Sequence, residues 1–105
     1  MLVSLLRRAL GVRRNGDGFA ARLHEGYARL QLGDAPGAKR MAMGILSEDP
    51  AFVGAHLLHA QAAADGGEWG IALAAIERLL AMNPKHPDAH FIRGMVREQL
   101  GEAER

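Results

Sequence analysis

Apolar residues recur along most of this chain at intervals of three and four, the period of a helix with one buried face. Strict alternation, the mark of a half-buried strand, occurs nowhere at useful length. The spacing predicts five main helices: Ala20–Leu32, Pro36–Ser47, Gly54–Asp65, Trp69–Met82 and Asp88–Leu100. Pro36 suits a first helical turn, where its missing N–H costs no hydrogen bond. Pro50 and Pro84 lie just past helix ends, because a proline cannot continue a helix. Ahead of these, Met1 to Val12 sets Leu2, Leu5, Leu6, Ala9 and Leu10 on one face, with Arg7, Arg8, Arg13 and Arg14 towards the other. Asn15-Gly16-Asp17-Gly18 reads as a flexible hinge after that arm.

The punctuation repeats. Asp49-Pro50 and Asn83-Pro84 lie 34 residues apart, and at the same interval Gly33-Asp34 matches Gly67-Glu68 and then Gly101-Glu102. Ala38 matches Ala72, Leu46 matches Leu80, and Gly26, Ala60 and Gly94 share one slot. Small residues at such slots let paired helices cross closely. The period, the Gly seven residues before Gly-Asp or Gly-Glu, the second-helix Ala and the closing Asp-Pro or Asn-Pro resemble the tetratricopeptide repeat family. The resemblance covers residues 19–105 as about two and a half repeats: 19–52, 53–86 and a partial 87–105. Residues 1–18 form a basic amphipathic helix and hinge. It implies an all-α helix-turn-helix solenoid whose first helices line a concave groove for another protein.

Three departures from the family pattern bear on that groove. The fourth and seventh places of each first helix are ordinarily large and apolar. Here they hold Arg22 and Glu25, His56 and His59, and His90 and Arg93, with apolar residues one place along. Either the helices are rotated, or the groove is unusually apolar. Some family members grip a partner's terminal carboxylate with basic and amide side chains. The corresponding slots here are Leu23, Tyr27, Leu58, Asp88 and Ile92, so that clamp is excluded. The groove residues expected instead are Leu23, Tyr27, Leu57, Gln61, Phe91 and Met95, suited to an apolar helix face or extended segment.

Composition sharpens this. Ala and Leu dominate the apolar content, threonine is absent, and only five residues are aromatic, which favours helices packed over small side chains. Without cysteine there is no disulfide, thiolate metal site or cysteine nucleophile, and a reducing cytoplasm is the simplest compartment. The only two serines, Ser4 and Ser47, lie outside any nucleophile-elbow sequence, and no glycine run ends in Gly-Lys-Ser/Thr. No enzyme and no cofactor is expected. His56, His59 and His90 could approach a zinc or nickel ion, but no carboxylate joins them at ligand spacing, and repeat duplication explains their match.

Net charge is +1, unevenly spread. Four of thirteen basic residues lie in the first fourteen positions, which hold no acid; the other nine face twelve acidic groups. A balanced body is not the footprint of a nucleic-acid-binding domain. The arm has three readings: a cap on the first repeat, a reversible contact with an anionic membrane surface through Arg7, Arg8, Arg13 and Arg14, or a filler for the groove of its own or another copy. The third tract stops after one helix, so Ile92, Val96 and Leu100 are expected to stay uncovered and to pair two copies as a homodimer. The function expected is an adaptor or assembly factor, with a membrane-peripheral oligomeric scaffold anchored by the arm as the alternative.

Overall fold

A computed structural model describes residues 14–104, with side-chain surroundings for 18–101. It contains five helices: α1 (Arg14–Gln31), α2 (Ala35–Glu48), α3 (Val53–Asp65), α4 (Trp69–Met82) and α5 (Pro87–Glu104). α1 and α2 form one antiparallel pair, α3 and α4 a second, and α5 packs chiefly on α4 while touching α3. The expected all-α helical repeat architecture is present. One boundary differs: α1 begins at Arg14, so Asn15–Gly18 is its first turn rather than a hinge. The arm, with Arg7, Arg8 and Arg13, lies outside the described residues.

The turns inside the two complete pairs are built alike. Gly33 and Gly67 adopt φ of 83° and 74°, a left-handed conformation in which a Cβ would crowd the backbone. The next residue closes each cap: Asp34 N–H donates to the Arg29 carbonyl and Glu68 N–H to the Ala63 carbonyl, both at 2.8 Å. The Asp34 carboxylate then accepts from Gly37 N–H at 2.9 Å, capping α2. That bond, with Arg29 beside it, holds the Asp34 carboxyl below its ordinary range.

The core is one band of small and branched residues. Ala60, Ala63, Ala72, Ala75, Ile76, Leu79, Ala89, Ile92 and Val96 knit α3, α4 and α5. Leu58 joins Ala38, Ala42 and Ala62 beneath Leu23, Tyr27, Leu30 and Met41. Phe19, Ile45 and Ala55 make a third cluster, where the Phe19 and Phe52 rings tilt at a centroid separation of 5.2 Å. α3 lies between both pairs and is apolar nearly all round, as a helix with neighbours on every side must be.

This packing corrects the expected self-association face. Ile92 is 5% exposed and Val96 fully buried, both against α3 and α4 of the same chain, and Leu100 packs partly on that cluster. The uncovered side of α5 carries Phe91 and Met95 instead. Helical periodicity separates two faces but does not say which one meets the preceding helix.

The unusual histidines also find their places. His56 and His59 are buried, so these slots of α3 face inward and α3 is not rotated away from its partner. His56 Nε2–H donates to the Pro50 carbonyl at 2.7 Å, and the repeat-equivalent His90 donates in the same way to the carbonyl of Pro84. Each imidazole thus ties a first helix to the proline ending the repeat before it. Where α5 has no following helix, His90 is exposed and its Nδ1 accepts from Arg93 at 3.1 Å. No group of three or more potential metal ligands occurs among the described residues.

His59 has no hydrogen-bond partner on either ring nitrogen among the described residues. Burial lowers its pKa, Lys39 on α2, Arg78 on α4 and His56 lower it further, and Glu68 opposes them. The unfolded chain therefore binds this proton more readily than the native one. Stability from this group is intact above the ordinary histidine value near 6.5 and is lost as pH falls towards the lower native value. The melting temperature is expected to drop by a few degrees between pH 7.5 and 5.5, and His59→Leu is expected to remove most of that drop. An identical pH profile in the variant would assign the acid sensitivity to other groups.

Candidate functional site

The first helices of the three tracts, α1, α3 and α5, together enclose a cleft of about 470 Å³. Tyr27, Leu30 and Gln31 line it from α1, Gln61, Ala64 and Asp65 from α3, and Asp88, Phe91, Ile92 and Met95 from α5. The repeat explains the alignment. Tyr27, Gln61 and Met95 are 34 residues apart in turn, so stacking the pairs places one slot of three helices on one surface. Phe91 and Asp88 sit one helical turn and two turns before Met95 on the same side of α5.

Four of the six expected groove residues are therefore brought together: Tyr27, Gln61, Phe91 and Met95. The other two are not. Leu23 of α1 packs against the second and third core clusters, and Leu57 of α3 packs on the core of α3–α5. Both serve the fold, Leu23 by joining α1 to its neighbours and Leu57 because α3 meets helices on several sides. Leu30, Gln31, Ala64, Asp65, Asp88 and Ile92 also line the cleft and were not among the groove residues expected from the sequence. The available signal was the helical turn itself, since Leu30 and Gln31 follow Tyr27 by three and four residues and Asp65 follows Gln61 by four.

The cleft is apolar in the middle and negative at its edge. Phe91 is 73% exposed, an extent that packing within this chain does not account for. Among the described residues lining the cleft two are carboxylates and none is a lysine or arginine. Asp65 is the last residue of α3, where a negative charge opposes the helix dipole, and the carbonyl ends of α1 and α3 both reach the lining. Neither Asp65 nor Asp88 forms an ion pair among the described residues. Burial and the nearby Asp88 carboxylate raise the Tyr27 phenol above its ordinary pKa, which keeps its hydroxyl protonated and able to donate.

The described residues contain no helix long and apolar enough to cross a membrane. Other exposed apolar side chains are spread along the chain, Leu32 just past α1, Met43 on α2, and Ile71 and Met82 at the two ends of α4, as single apolar residues commonly are at protein surfaces. Arg14 opens α1. No curated protein matches the chain. Residues 57–105, which comprise most of α3 and all of α4 and α5, match the tetratricopeptide repeat family model. That match, the 34-residue recurrence of caps and histidine ties, and the paired-helix stacking agree on a tetratricopeptide repeat across residues 57–105.

Proposed function

We propose that this chain is a non-catalytic adaptor that holds a basic, amphipathic segment of a partner protein in the cleft between α1, α3 and α5. Repeats of this family generally mediate protein–protein interaction, and the local chemistry narrows what such a partner presents. The observation that carries the reading is an open aromatic and methionine surface, Phe91 with Met95, bordered by Asp65 and Asp88 with no lysine or arginine among the described lining residues. Apolar side chains of a partner would bury on the first two, and lysine or arginine would answer the carboxylates. Gln61 offers an amide that donates and accepts, suited to a helix end or an extended backbone.

Selection from a random peptide library on the immobilised full chain tests this. Recovered peptides are expected to combine Leu, Ile or Met at helical spacing with Lys or Arg. Gln61→Arg and Phe91→Ser are expected to weaken them at least about tenfold, equivalent to about 1.4 kcal/mol, with unchanged thermal unfolding. Peptides without that pattern, or binding indifferent to both substitutions, would remove the cleft as the binding site.

A further inference from the structure

Five carboxylates outside the cleft are paired with cations of the same chain. Glu25 and Asp34 meet Arg29, Glu48 meets Arg22, Glu68 meets Lys39 and Glu77 meets Arg97, at 2.6–3.3 Å. Asp65 and Asp88 line the cleft and join no ion pair among the described residues.

One of the internal pairs shows what a carboxylate accepts when an aromatic ring lies beside it. The Arg22 guanidinium carbon stands 4.9 Å from the centroid of the Phe19 ring, and its Nη1 donates to Glu48 at 2.6 Å. Ring and carboxylate together suit arginine better than lysine. A guanidinium is flat, weakly hydrated and able to donate two parallel bonds, whereas an ammonium is a compact, strongly hydrated point charge. Phe19 and Arg22 are three residues apart on α1, so a ring reaches a cation one helical turn away.

Two of these three groups recur in the cleft. Asp88 and Phe91 are also three residues apart, on α5, and both are exposed and line the cleft. The Asp88 charge is felt at the Tyr27 phenol on α1, which places that carboxylate towards the cleft rather than behind α5. Carboxylate and open ring are thus held one turn apart, with no guanidinium of the described residues between them.

Resting on the cleft as the binding site, we propose that the basic residue it selects in a partner protein is arginine, its guanidinium laid on the Phe91 ring and forked by the Asp88 carboxylate. Met95, one turn further along α5, packs against the neighbouring apolar residue of the segment. Asp65, at the end of α3, receives a second basic residue of either kind.

The test compares arginine with lysine in the tightest peptide recovered from the library on the full chain. In isothermal titration, changing its arginine to lysine is expected to weaken binding at least about fivefold. Asymmetric dimethylarginine, which keeps the charge but blocks the fork, is expected to weaken it by a similar factor. Phe91→Leu keeps an apolar side chain and is expected to abolish the preference for arginine over lysine. Asp88→Asn is expected to weaken the arginine peptide at least about tenfold. Glu98→Gln, at an exposed carboxylate of α5 outside the cleft lining, is expected to change neither affinity. In the bound peptide the arginine δ-methylene protons are expected to shift upfield from the ring current, and to lose that shift with Phe91→Leu. Equal affinity for the arginine and lysine peptides, a preference that survives Phe91→Leu, or binding indifferent to Asp88→Asn overturns this proposal and leaves the cleft as a binding site. Recovery of no peptide, or of peptides indifferent to Gln61→Arg, would end the adaptor reading and this proposal with it.

Discussion

Leu58→Ala is expected to destabilise the fold by about 2–5 kcal/mol, and to reverse the effect of a substitution on another helix. Leu58 is fully buried and packs with Ala38 and Ala42 of α2. Its Cδ2 also occupies the space beside Gly26 of α1, where an added Cβ would clash with it. One side chain thus fills a hole formed by small residues on two neighbouring helices. In the native chain, Gly26→Ala is expected to destabilise. The gain in helix propensity, about 1 kcal/mol, is outweighed by overpacking of about 1–3 kcal/mol against a fully buried leucine. With Leu58→Ala already present, the clash is gone and the propensity gain remains, so Gly26→Ala is expected to stabilise. Chemical denaturation of the two single variants and the double variant measures this coupling directly. Additive effects would show that α1 and α3 do not interlock at this point.

Val96→Asp is expected to detach α5 while the preceding helices keep their structure. Val96 is fully buried among residues of α3, α4 and α5, and an unpaired carboxylate there costs several kcal/mol. α5 ends the described stack and is held mainly by α4. In a repeat protein each unit depends on its nearest neighbours, so the damage stays local. Far-UV circular dichroism is expected to lose the signal of about one helix in five, and cleft binding is expected to vanish because Phe91, Met95 and Asp88 leave with α5. Full helicity would instead put Val96 on an open surface. Phe91→Ser serves as the control, since that exposed side chain can change without loss of helix.

The two substitutions also separate what was legible in the chain from what was not. The helices, their order and the turns between them follow from local chemistry. Pro36, Pro50 and Pro84 can occupy only certain helix positions, Gly33 and Gly67 accept positive φ, and the apolar period admits no strand. The 34-residue recurrence then implies stacked pairs, since one pair cannot bury its own apolar face. Even the composition of the cleft was partly readable, because Tyr27, Gln61 and Met95 occupy one slot in three successive tracts.

Which face of each helix points where was decided by the assembled structure. α5 is apolar on two sides, and its sequence alone does not distinguish Val96, fully buried in the core, from Phe91 and Met95, now open at the cleft, with Ile92 buried at the boundary between the two. Leu57 and Leu58 were equally ambiguous, and the enclosure of α3 between both pairs drew them into the interior. Asp65 and Asp88, 23 positions apart, share one cleft only because α3 and α5 line it together. Local preferences act over one or two turns of chain, whereas facing and charge complementarity arise from how several helices share one volume.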